Sequence, residues 1–376
     1  MRLLFFGTYD ASAHPRVAVL RDGLRAGGAT VAECNVPLGL TTAARVGMLR
    51  NPAMLPLLAW RIARCWLGLW RLSCPYRRAG QRPDAVVVGY LGHFDVLLAR
   101  RLFPDVPVVL DHLVGASDTA RDRGVPTGPR QRLLRRLDDA ALGAADVVVV
   151  DTDEHREALP EQVRRRALVV AVGAPAEWFA AGDRAVAAST GPLRVVFFGL
   201  FTPLQGAPVI GEALARLAGE PVEVTMVGNG QDRAEAQRTA AGNRAVTWRD
   251  WVGADELPAL VAVHEVCLGI FGTGDKAARV VPNKVFQGAA AGCALVTSDT
   301  APQRRVLREA AALVPAGDPA ALAEALRTLA HDPDRVADLR AAARDLAVRA
   351  FTPEAVVKPL EERLRSLVPP LMEVNR

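Results

Sequence analysis

Arg2-Leu3-Leu4-Phe5-Phe6-Gly7-Thr8-Tyr9-Asp10 opens the chain, and Leu193-Arg194-Val195-Val196-Phe197-Phe198-Gly199-Leu200-Phe201-Thr202 repeats its plan farther along. Each is an apolar run that stops at a glycine. A run this short, rich in aromatic and branched residues, reads as a buried strand leading into a tight loop. Meeting the same opening twice in 376 residues predicts two domains of like construction.

Working outward from the first copy, a helix is expected near Pro15–Ala26, with strands at 29–35, 84–89, 106–110, 146–150 and 168–172. From the second copy, strands are expected at 222–227, 245–248, 266–270 and 294–298, and helices near 283–291, 303–310, 319–331 and 333–350. Thr352-Pro353 is a helix start, with the threonine as cap and proline in the first turn. Strands alternating with helices imply an α/β fold whose parallel sheets are covered on both faces. Residues 180–192 lack an apolar period and read as the linker. The expected domains are therefore 1–180 and 193–351, with a C-terminal helix in 352–376 crossing back to the first. Such sheets bind ligands outside the carboxyl ends of their strands, which places the expected site in a cleft between the two domains.

Half the residues are hydrophobic and 23% are charged, a globular composition. Five cysteines, Cys34, Cys65, Cys74, Cys267 and Cys293, form no CxxC or Cys/His cluster. That excludes a zinc ribbon and argues for reduced thiols in a cytoplasmic protein. Residues 1–6 carry one basic residue and too short an apolar run for a secretory leader. The net charge of +5 comes almost wholly from arginine. No nucleic-acid-binding motif accompanies it, so nucleic acid is not an expected partner. A phosphate-bearing substrate or an anionic membrane surface suits the charge, and a GC-rich coding sequence also yields arginine.

The ordered series Phe198-Gly199, Pro203 to Gly206, Met226 to Gly230, Trp251-Val252, Glu256 to Pro258, Pro282 to Gln287, Ala290 to Val296 and Val314 to Pro319 resembles the donor domain of glycosyltransferase family 4. The first half resembles that family more loosely, through Gly7 to Asp10, Asp146 to Asp151 and Gly173 to Pro175. The resemblance implies a GT-B fold, two Rossmann-like domains with a cleft between them. It also implies a retaining transfer of sugar from a nucleoside diphosphate to an acceptor hydroxyl. The nucleotide sugar is then a co-substrate; no cofactor is expected. The acceptor would be a glycoside, a natural product or a lipid-linked saccharide. A metal-independent hexosyltransferase is expected, with the leaving diphosphate as base and a cationic clamp as the main catalytic element.

The family carries an arginine and a lysine after the second domain's first strand, and two glutamates farther on. In that loop the basic places fall on Leu200 and Gln205, and counting back from the Ala-Gly turn the glutamate places fall on Arg279 and Gln287. Arg279 and Lys284 are thus expected to supply the missing positive charge, aided by the helix start at Asn283. Gln287 is expected to face the ribose, while Gly199, Asn229 and Gly230 bring backbone near the phosphates. Trp251 and Val252 are expected to flank the base, with a core tryptophan as the alternative. In the first domain Asp111 and His112 are the expected catalytic or sugar-orienting pair, with Asp118 as an alternative orienting carboxylate. Gly7, Thr8, His14 and Arg16 form a candidate acceptor or phosphate loop, and Tyr90, His93 and Asp95 line the same side.

Residues 45–82 differ from the rest, mixing arginines with Trp60, Trp66 and Trp70. Arginine interrupts the stretch too often for a span of roughly 20 apolar residues. An interfacial helix at the inner face of the membrane is expected, or else a core-packing helix with an arginine outer face. Two other activities fit a GT-B chain: a sugar-nucleotide epimerase, which would need carboxylates in the site, and a degenerate peripheral membrane partner that keeps the fold without catalysis. A Rossmann dehydrogenase is disfavoured because neither opening loop reads GxGxxG.

Overall fold

A computed structural model describes residues 1–10, 14–40, 48, 52–90, 92–113, 115, 128–185 and 191–367. The chain divides into two compact units, one of residues 1–171 with 356–376 and one of residues 172–355.

The first unit holds six parallel strands: β1 (Arg2–Gly7), β2 (Thr30–Asn35), β3 (Ala85–Val88), β4 (Val108–Asp111), β5 (Val147–Val150) and β6 (Ala167–Val169), in the order β2-β1-β3-β4-β5-β6. The apolar runs are continuous because both sheet faces are covered. Alternate residues feed opposite cores. Leu4, Phe6, Val86, Val88, Val108, Leu110, Val148 and Val150 share one layer. Leu3, Phe5, Val87, Val109, Val147 and Val149 share the other, with Leu20 and Leu24 of the helix Pro15–Ala26. Val356, Val357, Leu360 and Leu364 of the helix Pro353–Leu367 join that second layer.

The second unit repeats the plan with β7 (Leu193–Phe198), β8 (Val222–Val227), β9 (Val246–Arg249), β10 (Val266–Leu268), β11 (Ala294–Ser298) and β12 (Ala311–Val314), in the order β12-β11-β10-β7-β8-β9. Two features differ from the sequence expectation. Residues 303–310 are not one helix: the helix Ala301–Leu307 stops, Arg308 takes φ 51°, and β12 follows. Its Ala-Ala-Leu-Val is short and alanine-rich, so helix propensity masks a strand that β11 pairs in parallel. Residues 176–182 form a helix at the edge of the expected linker. Trp178 stacks on Phe198 at 5.4 Å, which ties that helix to the second unit.

Both strand orders reverse beside their first strand, between β1 and β3 and between β7 and β10. The carboxyl ends at those reversals are where an open α/β sheet leaves room for a ligand.

Candidate functional site

In the second unit the loops leaving β7, β8 and β10 lock together at the reversal. The amide of Gly199 donates to Val227 and that of Phe201 to Asn229, at 3.0 and 3.1 Å. The amide of Phe271 donates to Gln205 at 3.0 Å. Gly228 has φ 122°, and a Cβ there would overlap the Gly199 carbonyl, so this crossing of loops needs glycine.

Lys284 lies in the first turn of the helix Asn283–Ala290, yet its side chain reaches β7. Nζ donates to Gln205 Oε1 and lies 3.7 Å from the centre of the Phe197 ring. A Cβ on Gly199 would stand 3.3 Å from Nζ. The residue is only 4% exposed, and no carboxylate among the described residues pairs with it. Burial pulls its pKa down to about 7, only partly offset by Cys267. An ammonium held dry by one amide oxygen and one ring face is under-compensated, and an anion would complete it. Lys284 thus brings its amine to the loop that carries Gln205.

The other expected donor residues fall around this point unequally. Gln287 is buried one turn along the same helix, three residues from Lys284. Asn283 is exposed at the helix start, where first-turn amides have no intrahelical acceptor. Asn229 and Gly230 are exposed at the end of β8, the Gly230 amide donating to Asn229 Oδ1 at 2.8 Å. Arg279 closes the short turn Ala277–Arg279 ahead of the helix and is half-buried. Leu200 points outward, 51% exposed. Trp251 is 76% exposed and Val252 half-buried, so the core alternative for Trp251 is excluded; the neighbouring Trp248 of β9 packs instead, 6.1 Å from the Phe201 ring.

In the first unit the strand ends gather a different chemistry. Arg16 Nε donates to Asp111 Oδ1 at 2.8 Å, and its other nitrogens donate to the carbonyls of Ala171 and Val170 at 2.9 and 3.0 Å. Both side chains are buried. Arg16 therefore clips the ends of β4 and β6 together, which revises its expected place in a phosphate loop: every guanidinium nitrogen is already used. Thr8 is likewise held, its amide and hydroxyl donating to Asp95 Oδ2 at 2.7 and 2.8 Å. Trp66 Nε1 donates to Asp95 Oδ1 at 3.2 Å, so Asp95 organises the loop after Gly7 rather than facing outward. His14 packs edge-on against Tyr90, ring centres 4.7 Å apart.

Asp111 and His112 keep unsatisfied atoms. Asp111 Oδ2 and His112 Nδ1 are buried with no hydrogen-bond partner among the described residues. Burial raises the Asp111 pKa, and Arg16 opposes that shift. Burial, then His93 and His155, press the His112 pKa down to about 3, so its imidazole is neutral. His93 lies edge-on to His112 at 5.4 Å and contacts Asp138 at 3.4 Å. His155 Nδ1 lies 2.5 Å from Asp151 Oδ1. Sequence reasoning missed Asp138 and His155; the Asp151 to His155 spacing of one helical turn after β5 was the available signal. Asp118 lies outside the described residues.

The paired six-stranded sheets and their loops define a GT-B fold. Residues 192–332 match the family model described as glycosyl transferases group 1. No curated protein matches the chain in sequence. Sucrose-phosphate synthase from Thermosynechococcus elongatus is similar in structure, with TM-score 0.70 and 16% identity over 97% of this chain and 98% of that one. HepE from Anabaena, solved in complex with UDP, has TM-score 0.66 and 13% identity over 97% and 99%. The α,α-trehalose 6-phosphate synthase from Burkholderia multivorans has TM-score 0.61 and 16% identity over 97% and 96%.

Proposed function

We propose that the chain is a retaining glycosyltransferase that uses a uridine diphosphate sugar and an acceptor hydroxyl, without a metal ion. The buried, carboxylate-free ammonium of Lys284 at the β7/β10 reversal is the observation that carries this reading. The family match over residues 192–332 supports it, and HepE with UDP suggests the base. In the reaction the acceptor oxygen bonds to the anomeric carbon while the bond from that carbon to the phosphate oxygen breaks. The electron pair of that bond stays on the diphosphate, which also takes the acceptor's proton. Lys284 and the Asn283 helix start stabilise the charge that develops on the leaving phosphate. Trp251 stacks on the base and Gln287 hydrogen-bonds the ribose. On the first unit, Asp111 Oδ2 and neutral His112 Nδ1 are suited to bind sugar hydroxyls, since each is a buried atom awaiting a partner. Glycosides, natural products and lipid-linked saccharides are the acceptor classes. An epimerase is less well supported, because no carboxylate pairs with Lys284 among the described residues.

The test is UDP titration with EDTA present, followed by a nucleotide-sugar panel. Wild type is expected to bind UDP and to release UDP from one donor. Lys284→Met is expected to lower kcat/KM by about 100-fold, the usual order for losing one group that stabilises developing oxyanion charge. Unchanged UDP affinity in Lys284→Met overturns the assignment.

A further inference from the structure

The helix Leu55–Leu72 has a second face that the proposed chemistry does not use. Leu58, Cys65 and Leu69 are buried, and Gly68 lets the helix approach Val36. The opposite strip is Leu57, Trp60, Arg64, Leu67 and Arg71, spaced alternately three and four residues apart, and all five are exposed. Eleven large hydrophobic side chains are exposed among the described residues, and six of them lie on this helix, Trp60 at 57%. So dense an apolar patch on one element marks a contact surface rather than scattered surface leucines.

Charge decides what it contacts. Residues 34–83 hold eight arginines and neither aspartate nor glutamate. Arg61, Arg64, Arg71 and Arg77 pair with no carboxylate among the described residues. Arg64 and Arg77 instead lie over the rings of Trp60 and Trp70, at 5.8 and 5.2 Å. A second copy on this strip would set arginine against arginine with no acid to neutralise it. No helix is long and apolar enough to cross a membrane among the described residues. Tryptophan, leucine and unpaired arginine on one outward strip match the boundary between anionic headgroups and acyl chains.

We propose that this strip docks the protein on an anionic lipid bilayer, with Trp60 and Leu67 entering the acyl boundary and Arg64 and Arg71 on the headgroups. The proposal is independent of the donor site. Its test is cosedimentation of the full chain with vesicles of phosphatidylcholine alone or mixed equally with phosphatidylglycerol. Each arginine near such a surface adds about fivefold to partitioning. Binding is expected to the mixed vesicles only, weakened by salt, with tryptophan emission quenched by brominated lipid. Trp60→Ser with Leu67→Ser, and separately Arg64→Glu with Arg71→Glu, are each expected to lose at least about tenfold in binding. Circular dichroism and UDP affinity should stay as in wild type. Absent wild-type binding or quenching, equal binding to phosphatidylcholine, or undiminished binding by folded variants overturns the proposal. Self-association that the same variants abolish overturns it in favour of a second copy.

Discussion

Lys284 is costly to the empty protein. Its pKa is about 7 folded against the ordinary value of 10.5, so the unfolded chain binds the extra proton between those values. Stability then rises with pH across that window, and the full penalty is present below it. Lys284→Met is therefore expected to raise Tm most below pH 7 and to lose its advantage by about pH 10, read from melts across pH. Diphosphate favours the charged amine, so UDP binding should take up a proton near neutrality. Titration calorimetry in buffers of different ionisation heat would show that uptake, and Lys284→Met should abolish it. Arg16 makes the opposite case. Arg16→Met strands Asp111 and two carbonyls, and the expected loss is about 3–5 kcal/mol in urea unfolding; a phosphate-loop arginine would leave stability untouched. The family resemblance pointed to Lys284 through a missing basic pair, and the fold sets its Nζ against Gln205. The sequence could not show that Arg16 is spent on Asp111, because their 95-residue separation is bridged only by the fold.

At the scale of elements, the length and composition of each strand decided its legibility. β1 and β7 were plain in the sequence because both faces are buried and every position is apolar or nearly so. β12 was hidden because two alanines leave it no β-branched signature until Val314. The loop after β9 was legible as a motif, while its exposure was not. Trp251 contributes nothing to the core. Trp251→Ala should leave the urea midpoint within about 0.5 kcal/mol of wild type. The same change should weaken UDP by about tenfold, if the indole stacks on the base. Calorimetry and unfolding on one sample separate the two effects. An equal loss of stability and affinity would return Trp251 to a packing role.

For the whole molecule, the determining feature is that the first unit's core is completed by residues beyond the second unit. Leu360 is fully buried among Leu3, Phe5, Leu20 and Leu24. Leu360→Ala should cost about 2–5 kcal/mol, as a buried leucine truncation does, seen as a shifted urea midpoint for the transition that includes the first unit. Among the described residues, the main core of the second unit draws on Leu193 to Leu339, all within that unit. The order of synthesis then inverts the order of the units. As the chain leaves the ribosome, the early unit waits with Leu3, Phe5 and Leu24 uncovered, while the later one has all it needs to close. Only when residues 356–364 emerge can the first sheet be sealed. Its unfinished apolar face then lasts for the whole translation of the second unit.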